Sequence, residues 1–554
     1  MSAMLLRLAV LVCLAIAISF AQTADLVVMG ARVYTVNPDQ PTASAIAVKD
    51  ERILAVGDDL KQHIGPGTKV LDVKGATVIP GLIDSHVHLA GLGQALEILD
   101  LREASSIEDV LQQVREAAAK AKPGEWIRGR GWDQTRWPGK EFPDRNYLSE
   151  AAPNHPVYLT RVDGHAAWVN GAALALAEVD EDTEDPKGGR ILRDADGRFT
   201  GILVDRAQSL VARKIPEATG DQLERRLRAA AQECARLGLT SVHDAGVSES
   251  TILAYRALEK RGELPIRSYL MIGGEGELWR EYLTKGPEIG DRITVRTIKL
   301  VADGALGSRG AALIENYADD AGNRGLTILQ QEDVLRVSKD AIAKGFQVAT
   351  HAIGDYANRI TLQAYGEALG EVNDKRFRVE HAQIVHPDDF PLFKKYSVIA
   401  SIQATHATSD MRWAEDRIGK ERAVGAYAWR TFLDTGVRIA NGSDFPVEHP
   451  NPMLGFYASI TRQDASGWPE GGWFPSQKLT REEALKSWTL DGAYAAFEES
   501  KKGSIAPGKL ADFLVLSKNI MEADPKEILS TKIWLTFVGG KAVHQAEDSP
   551  VTMD

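Results

Sequence analysis

Short apolar runs alternate with helix-length stretches through most of this chain, and that alternation restricts the fold more than any other feature. The runs fall at 76–79 leading into Asp84, 240–242, 267–271, 297–301, 347–350, 378–380, 398–401 and 437–440. Strands separated by helices need crossover connections and therefore pair in parallel. Eight such units predict an α/β fold, a (β/α)8 TIM-like barrel whose functional side chains gather at the C-terminal ends of the strands.

The flanks have a different texture. Residues 24–78 hold β-branched runs at 26–28, 32–36, 45–48, 52–56 and 70–73, and the same pattern returns at 512–516 and 533–538. Neither end has enough strands to bury two faces, so the two predict one small β-sandwich built jointly. Residues 101–222 are too long for a strand-to-helix loop and read as an inserted subdomain after the first barrel strand. It opens on Ser105-Ser106-Ile107-Glu108, a capping-box pattern, and the helix that follows puts Val110, Leu111, Val114 and Ala118 on one face. The predicted order is leader 1–21, sandwich 22–78, barrel start 79–100, insertion 101–222, barrel 223–500 and sandwich 501–554.

Composition enters through what it excludes. With 65 basic against 77 acidic residues and a net charge of -12, the chain lacks the basic excess that tracks nucleic-acid phosphates. Arg7 precedes an uncharged run from Leu8 to Phe20, with small residues Ser19 and Ala21 around Phe20. That run is shorter than the about 20 residues needed to span a bilayer and predicts a cleaved signal peptide, hence a periplasmic or extracellular protein with no stable membrane insertion. Of the 2 cysteines, Cys13 leaves with the leader and Cys234 stays. A metal site in this chain must therefore use histidine and carboxylate rather than a thiolate cluster.

Such residues stand at the predicted strand ends. In His86-Val87-His88 the two imidazoles project the same way from a strand and can reach one cation. Lys299, His351, His381 and Asp444 each lie in or just after a later apolar run. Together with Gly131-Trp132-Asp133, Asp163-Gly164-His165-Ala166, Asp303-Gly304-Ala305-Leu306-Gly307-Ser308-Arg309, His351-Ala352-Ile353-Gly354-Asp355, Glu380-His381-Ala382-Gln383 and Gly442-Ser443-Asp444-Phe445-Pro446-Val447, this set resembles the amidohydrolase superfamily. The finer motifs resemble amidohydrolase family 3, the YtcJ-like branch that includes N-substituted formamide deformylases. The chain departs from the usual DGSLGSRTA at Ala305 and Gly310.

The resemblance implies two divalent metal ions, with zinc the first choice and manganese, iron, cobalt or nickel chemically suitable. It implies His86, His88 and Asp444 on one ion and His351 and His381 on the other. Lys299 would bridge them as an N6-carboxylated side chain; the alternative is an ordinary lysine paired to a carboxylate beside one ion. The implied activity is hydrolysis of a non-peptide carbon–nitrogen bond, amide or formamide, in a small-molecule substrate, with Asp444 as general base and acid. His165 reads either as a catalytic contact to the substrate carbonyl or as a structural histidine. Trp132, Arg161, Asp303 and Arg309 are the substrate-binding candidates.

Other histidines read differently. His243 is expected in the core, His406 within reach of the barrel mouth, and His63, His155, His386, His449 and His544 on surfaces or loops. A one-metal deaminase, an esterase or phosphotriesterase, and a non-catalytic scaffold are the competing functions, and a homodimer is open.

Overall fold

In the computed structural model, residues 22–161, 166–186, 189–216, 218–274, 276–307 and 309–552 are described. Eight parallel strands form the central sheet: β1 (Leu82–Val87), β2 (Leu239–Val247), β3 (Arg267–Gly273), β4 (Ile293–Val301), β5 (Gln347–Ala352), β6 (Arg378–His381), β7 (Ile399–Gln403) and β8 (Ile439–Gly442). Their hydrogen-bonded order follows the chain from β1 to β8. At the seam β8 returns beside β1, where the Asp444 N–H donates to His86 O at 2.8 Å and the His88 N–H to Phe445 O at 2.9 Å. Gly442 permits this approach, because a Cβ there would lie 2.7 Å from both the Asp84 carboxylate and the His86 nitrogen.

Strands flanked by helices are buried on both faces, which is why these sequences are apolar runs rather than alternations. The helix Gly220–Arg236 shows the matching outer layer. It starts at a capping box between Thr219 and Gln222 and buries Leu223, Leu227, Ala230, Ala231 and Cys234 along one stripe.

The first barrel strand differs from the sequence expectation. Residues Thr77–Pro80 belong to the terminal sheet, paired with Arg32–Tyr34 and Phe513–Leu516, and the barrel strand begins only at Leu82. Pro80 offers no N–H, the Gly81 N–H donates to Asp512 O at 2.9 Å, and the chain changes sheets across these two residues.

The chain ends form two sheets. One is made of N-terminal strands alone, Arg52–Gly57, Ala45–Lys49, Leu26–Met29 and Lys69–Asp72. The other interleaves Arg32–Tyr34, Thr42–Ala43 and Thr77–Pro80 with Phe513–Leu516, Ile533–Val538 and Lys541–Gln545 from the far end. A shared core of Val28, Ile46, Val78, Phe513, Leu535 and Phe537 joins the two sheets.

The insertion has its own six-stranded sheet, running from Leu99–Asp100 to Phe199–Asp205. It therefore starts two residues earlier than expected, and the helix Gly220–Arg236 lies in the barrel layer, packed on helices Leu89–Glu97 and Glu249–Lys260. Its helix Ile107–Lys120 buries Val110, Leu111 and Val114. The cap is displaced by one residue. Ser106 Oγ accepts from the Asp109 N–H, and Asp109 reaches back to Ser105, while Glu108 pairs with Arg115.

Candidate metal centre

Four histidines and one aspartate meet at the C-terminal ends of the strands. His86 is the penultimate residue of β1, His351 lies in β5, His381 closes β6, and Asp444 follows β8 by two residues. His88 is the first residue beyond β1 and the N-cap of Leu89–Glu97. His381 and Asp444 hold positive φ, 70° and 59°, a region that L side chains occupy at a cost of about 1–3 kcal/mol and that clusters at functional sites. The His381 ring centroid lies 4.9 Å from that of His86 and 4.5 Å from that of His351.

The ring orientations are set from behind. His86 Nδ1 contacts Glu380 Oε2 at 2.5 Å, His88 Nδ1 the Ala245 carbonyl at 3.0 Å, and His381 Nδ1 the Gln403 Oε1 at 2.7 Å. Each contact directs Nε2 into the site, the arrangement that a metal-ligating imidazole requires. Glu380 is itself clamped by Arg378, whose guanidinium also donates to Ser85 O, Ser401 Oγ and His243 Nδ1. Below Asp444, the buried Asp84 accepts from Ser443 N–H and Oγ and from His86 N–H.

The electrostatics suit a cation. Burial, reinforced by the Lys299 charge, takes His86 down to about 4 and His351 to about 3, so both rings stay neutral at physiological pH. Burial opposes ionisation of Asp444, but its contact with His88 and the surrounding imidazoles hold it below the usual carboxylate range. Glu380 is likewise kept ionised against burial, by Arg378 first and then His86. Lys299 is buried, and burial lowers its pKa against the opposing pull of Glu380 and Asp444.

The donor atoms themselves test the fit. Among the described residues, the buried atoms His86 Nε2, His351 Nε2, His406 Nε2 and Asp444 Oδ1 find no hydrogen-bond partner. Buried polar atoms are nearly always satisfied, so unpaired His86 Nε2, His406 Nε2 and Asp444 Oδ1 beside one another mark a place for a ligand. His86, His88 and Asp444 form one group whose donor atoms lie within 4.8 Å of one another, and His381, His406 and Asp444 form another. Imidazole and carboxylate donors suit zinc and its first-row neighbours.

The substrate-binding candidates lie elsewhere or are occupied. Trp132 is fully buried in the insertion core, its indole N–H donating to Leu159 O at 2.8 Å and its ring packed on Trp137 and Trp168. It is a packing residue, because no face of the ring is left to meet a substrate. Arg309 is held by both carboxylate oxygens of Asp319, at 3.0 and 2.9 Å, and ties down the loop after β4 instead of presenting a free guanidinium. Asp303 is also a loop anchor. It accepts the backbone N–H groups of Ala312, Ile353 and Gly354, and burial lifts its carboxyl to about 7. Its Oδ1 stands 3.4 Å from His351 Nε2. Arg161 binds Asp133 and Gln134. His165 lies outside the described residues.

Among the remaining histidines, His243 is buried beside Arg378, as expected, and His155 lies in a loop, as expected, but is buried there, its ring meeting Glu125 O. Sequence reasoning assigned no role to Glu380, Arg378 or Gln403. The only local signal was the placement of Glu380 beside His381.

Residues 69–544 match the Amidohydrolase family. The chain is 35% identical to Protein LONG AFTER FAR-RED 3 of Arabidopsis thaliana, over 94% of this chain and 92% of that protein. It is 32% identical to the putative amidohydrolase YtcJ of Bacillus subtilis, over 93% and 98% of the two chains. It is 28% identical to the N-substituted formamide deformylase of Arthrobacter pascens, over 94% and 98%. Among solved structures, an uncharacterized metal-dependent hydrolase from Pyrococcus horikoshii OT3 superposes with a TM-score of 0.77 at 28% identity, covering 90% of this chain and 99% of that one. The chain thus belongs to the amidohydrolase family, metal-dependent hydrolases of carbon–nitrogen bonds on a nearly closed eight-stranded barrel.

Proposed function

We propose that this enzyme hydrolyses an N-acyl or N-formyl amine to a carboxylate and an amine, at a centre of two divalent cations held by His86, His88, His351, His381, Asp444 and an N6-carboxylated Lys299. The observation that carries the reading is the convergence of unpaired, buried imidazole nitrogens on Asp444. The likeness to the N-substituted formamide deformylase supports the choice of bond. When bound, the cations supply acidification of a water and polarisation of the substrate carbonyl.

The chain's own residues do the rest. The Asp444 carboxylate, ionised at neutral pH, accepts a proton from the attacking water and returns it to the departing nitrogen, so that the amine leaves neutral. Burial lowers the Lys299 pKa, which favours the uncharged amine that can add to carbon dioxide and lose a proton to become a carbamate. Glu380, Ala245 O and Gln403 keep the three imidazoles turned inward throughout.

Metal quantification on purified protein, with a hydrolysis screen over N-formyl amines, N-acyl amines, lactams, esters and phosphotriesters, tests the proposal. Two cations per chain and turnover confined to amide bonds are expected; one cation with deamination, or ester turnover alone, overturns it. Asp444→Asn should keep the melting profile and lose turnover by at least about 100-fold, the scale of a general acid–base contribution. We also propose that the protein is exported through its first 21 residues, which the run Leu8 to Phe20 after Arg7 supports. N-terminal sequencing of exported protein should begin at Gln22, and a retained Met1 would contradict it.

A further inference from the structure

His406 was not among the ligands that the family resemblance implies. It lies on the helix Ala404–Asp410, which starts directly at the end of β7. Gln403, the last residue of that strand, holds His381 Nδ1, and three residues on, the His406 ring stacks beside the His381 ring at 5.8 Å and 18°. One strand-to-helix junction thus orients one imidazole and supplies a second. The His406 Nε2 is buried without a hydrogen-bond partner among the described residues and stands 3.6 Å from Asp444 Oδ2, too far for a hydrogen bond.

The two oxygens of Asp444 divide between two sets of rings. Oδ1 faces His86 Nε2 at 3.6 Å and His88 Nε2 at 3.2 Å, whereas Oδ2 faces His406. Donors bound tetrahedrally at about 2.0–2.1 Å from zinc lie about 3.3 Å apart, close to each of these separations. The donor atoms of His381, His406 and Asp444 are mutually within 4.8 Å, a second cluster that shares only Asp444 with the first.

We propose that His406 is a ligand of the second cation, held with His381 and Asp444 Oδ2, so that Asp444 spans both cations through its two oxygens. The inference rests on the two-cation reading above and adds to it a ligand from the helix that follows β7 directly. With His406 in place, the second cation has four protein donors besides Lys299: His351, His381, His406 and Asp444 Oδ2. Asp444 is then anchored on both sides during proton transfer.

The test is cobalt titration of the metal-stripped full chain, followed by visible absorption and by chelator competition, for wild type, H406A and H406Q. In wild type two cobalt ions should bind. In both variants the first should bind as before, and the second should weaken by more than the about 10–100-fold that loss of an outer-shell partner costs, with loss of its absorption band. Two ions bound with wild-type affinities in both variants would overturn the assignment of His406 and leave the two-cation centre standing. A single ion bound identically by all three proteins would overturn the two-cation centre, and the ligand with it. Melting of the metal-free proteins separates ligand loss from unfolding, and H406Q, which keeps a polar side chain on the helix, decides the question where H406A melts early.

Discussion

Glu380 bears on the centre without pointing into it. Its carboxylate is fully buried between the Arg378 guanidinium and His86 Nδ1, so one side chain both compensates a buried cation and fixes a candidate ligand. Glu380→Gln keeps the shape and removes the charge. Metal affinity should fall about 10–100-fold, as for loss of an outer-shell carboxylate, and the metal-free protein should lose up to about 3–5 kcal/mol because Arg378 is left uncompensated. Chelator competition and urea denaturation read the two effects, and wild-type values in both would reduce the carboxylate to a bystander. Asp410 offers a pH-dependent counterpart. Bonded to Gln383 and Tyr427, it is pushed by burial up to about 6. Its folded pKa lies above the unfolded value of 3.8, so the stability it contributes is complete below about pH 4 and lost as the pH rises through about 6. At about 1.4 kcal/mol per unit the loss is about 3 kcal/mol. Metal-free Asp410→Asn, which mimics the protonated form, should match wild type near pH 4 and exceed it by up to that amount at pH 7.5; parallel stability profiles would contradict the assignment. At this scale the five candidate ligands His86, His88, His351, His381 and Asp444 were legible, and His406 and the residues that orient the rings were not. His86-Val87-His88 announces itself because two histidines share one face of a strand, whereas the contact of Glu380 with His86 joins residues 294 apart and exists only in the closed barrel.

Among the elements, the helix Ile107–Lys120 shows how far local pattern reaches. Its apolar face was legible from spacing, but two adjacent serines could each serve as cap, and the geometry selects Ser106 with Asp109 rather than Ser105 with Glu108. Asp109→Ala should therefore cost about 1 kcal/mol, in the range of a lost cap, and Glu108→Ala less than about 0.5 kcal/mol, as for an exposed position. Equal costs in thermal denaturation would show that the cap does not discriminate between them. The first barrel strand was misplaced for a related reason. The apolar run at 76–79 reads as leading straight into Asp84, and nothing local shows that Thr77–Pro80 pairs with Phe513–Leu516, more than four hundred residues downstream, before the chain crosses to the barrel at Gly81. The seven later strands stood out because each carries an apolar run, with a helix-length stretch between one run and the next. The insertion's sheet was hidden by strands as short as Leu99–Asp100 and by a Gly-rich strand, Ile127–Trp132, that departs from the usual strand composition.

Over the whole molecule, the joint domain of the two chain ends and the barrel are fastened by an ion pair at the strand N-termini. Arg267, the first residue of β3, donates through Nε and Nη2 to Asp512 at 2.8 and 3.1 Å, and both side chains are buried. Asp512 also accepts the Gly539 N–H at 2.7 Å, and its carbonyl takes the Gly81 N–H, so this residue holds the chain where it passes from one domain to the other. Burial raises the cost of its charge, but Arg267 outweighs burial and keeps the carboxyl below its ordinary value. Removing one member of such a pair leaves a buried charge without its partner, at about 3–5 kcal/mol, while replacing both with apolar side chains is often close to neutral. Asp512→Asn should accordingly lower the denaturation midpoint by that equivalent, and the double variant Arg267→Met with Asp512→Leu should recover most of the loss. The candidate metal centre lies at the other end of the strands, about 20 Å away for a strand the length of β3. Metal stoichiometry and affinity in folded Asp512→Asn should therefore match wild type. A drop in metal affinity without a drop in stability would reverse the argument, making the chain ends part of the centre's support rather than a fastening for the barrel beneath it.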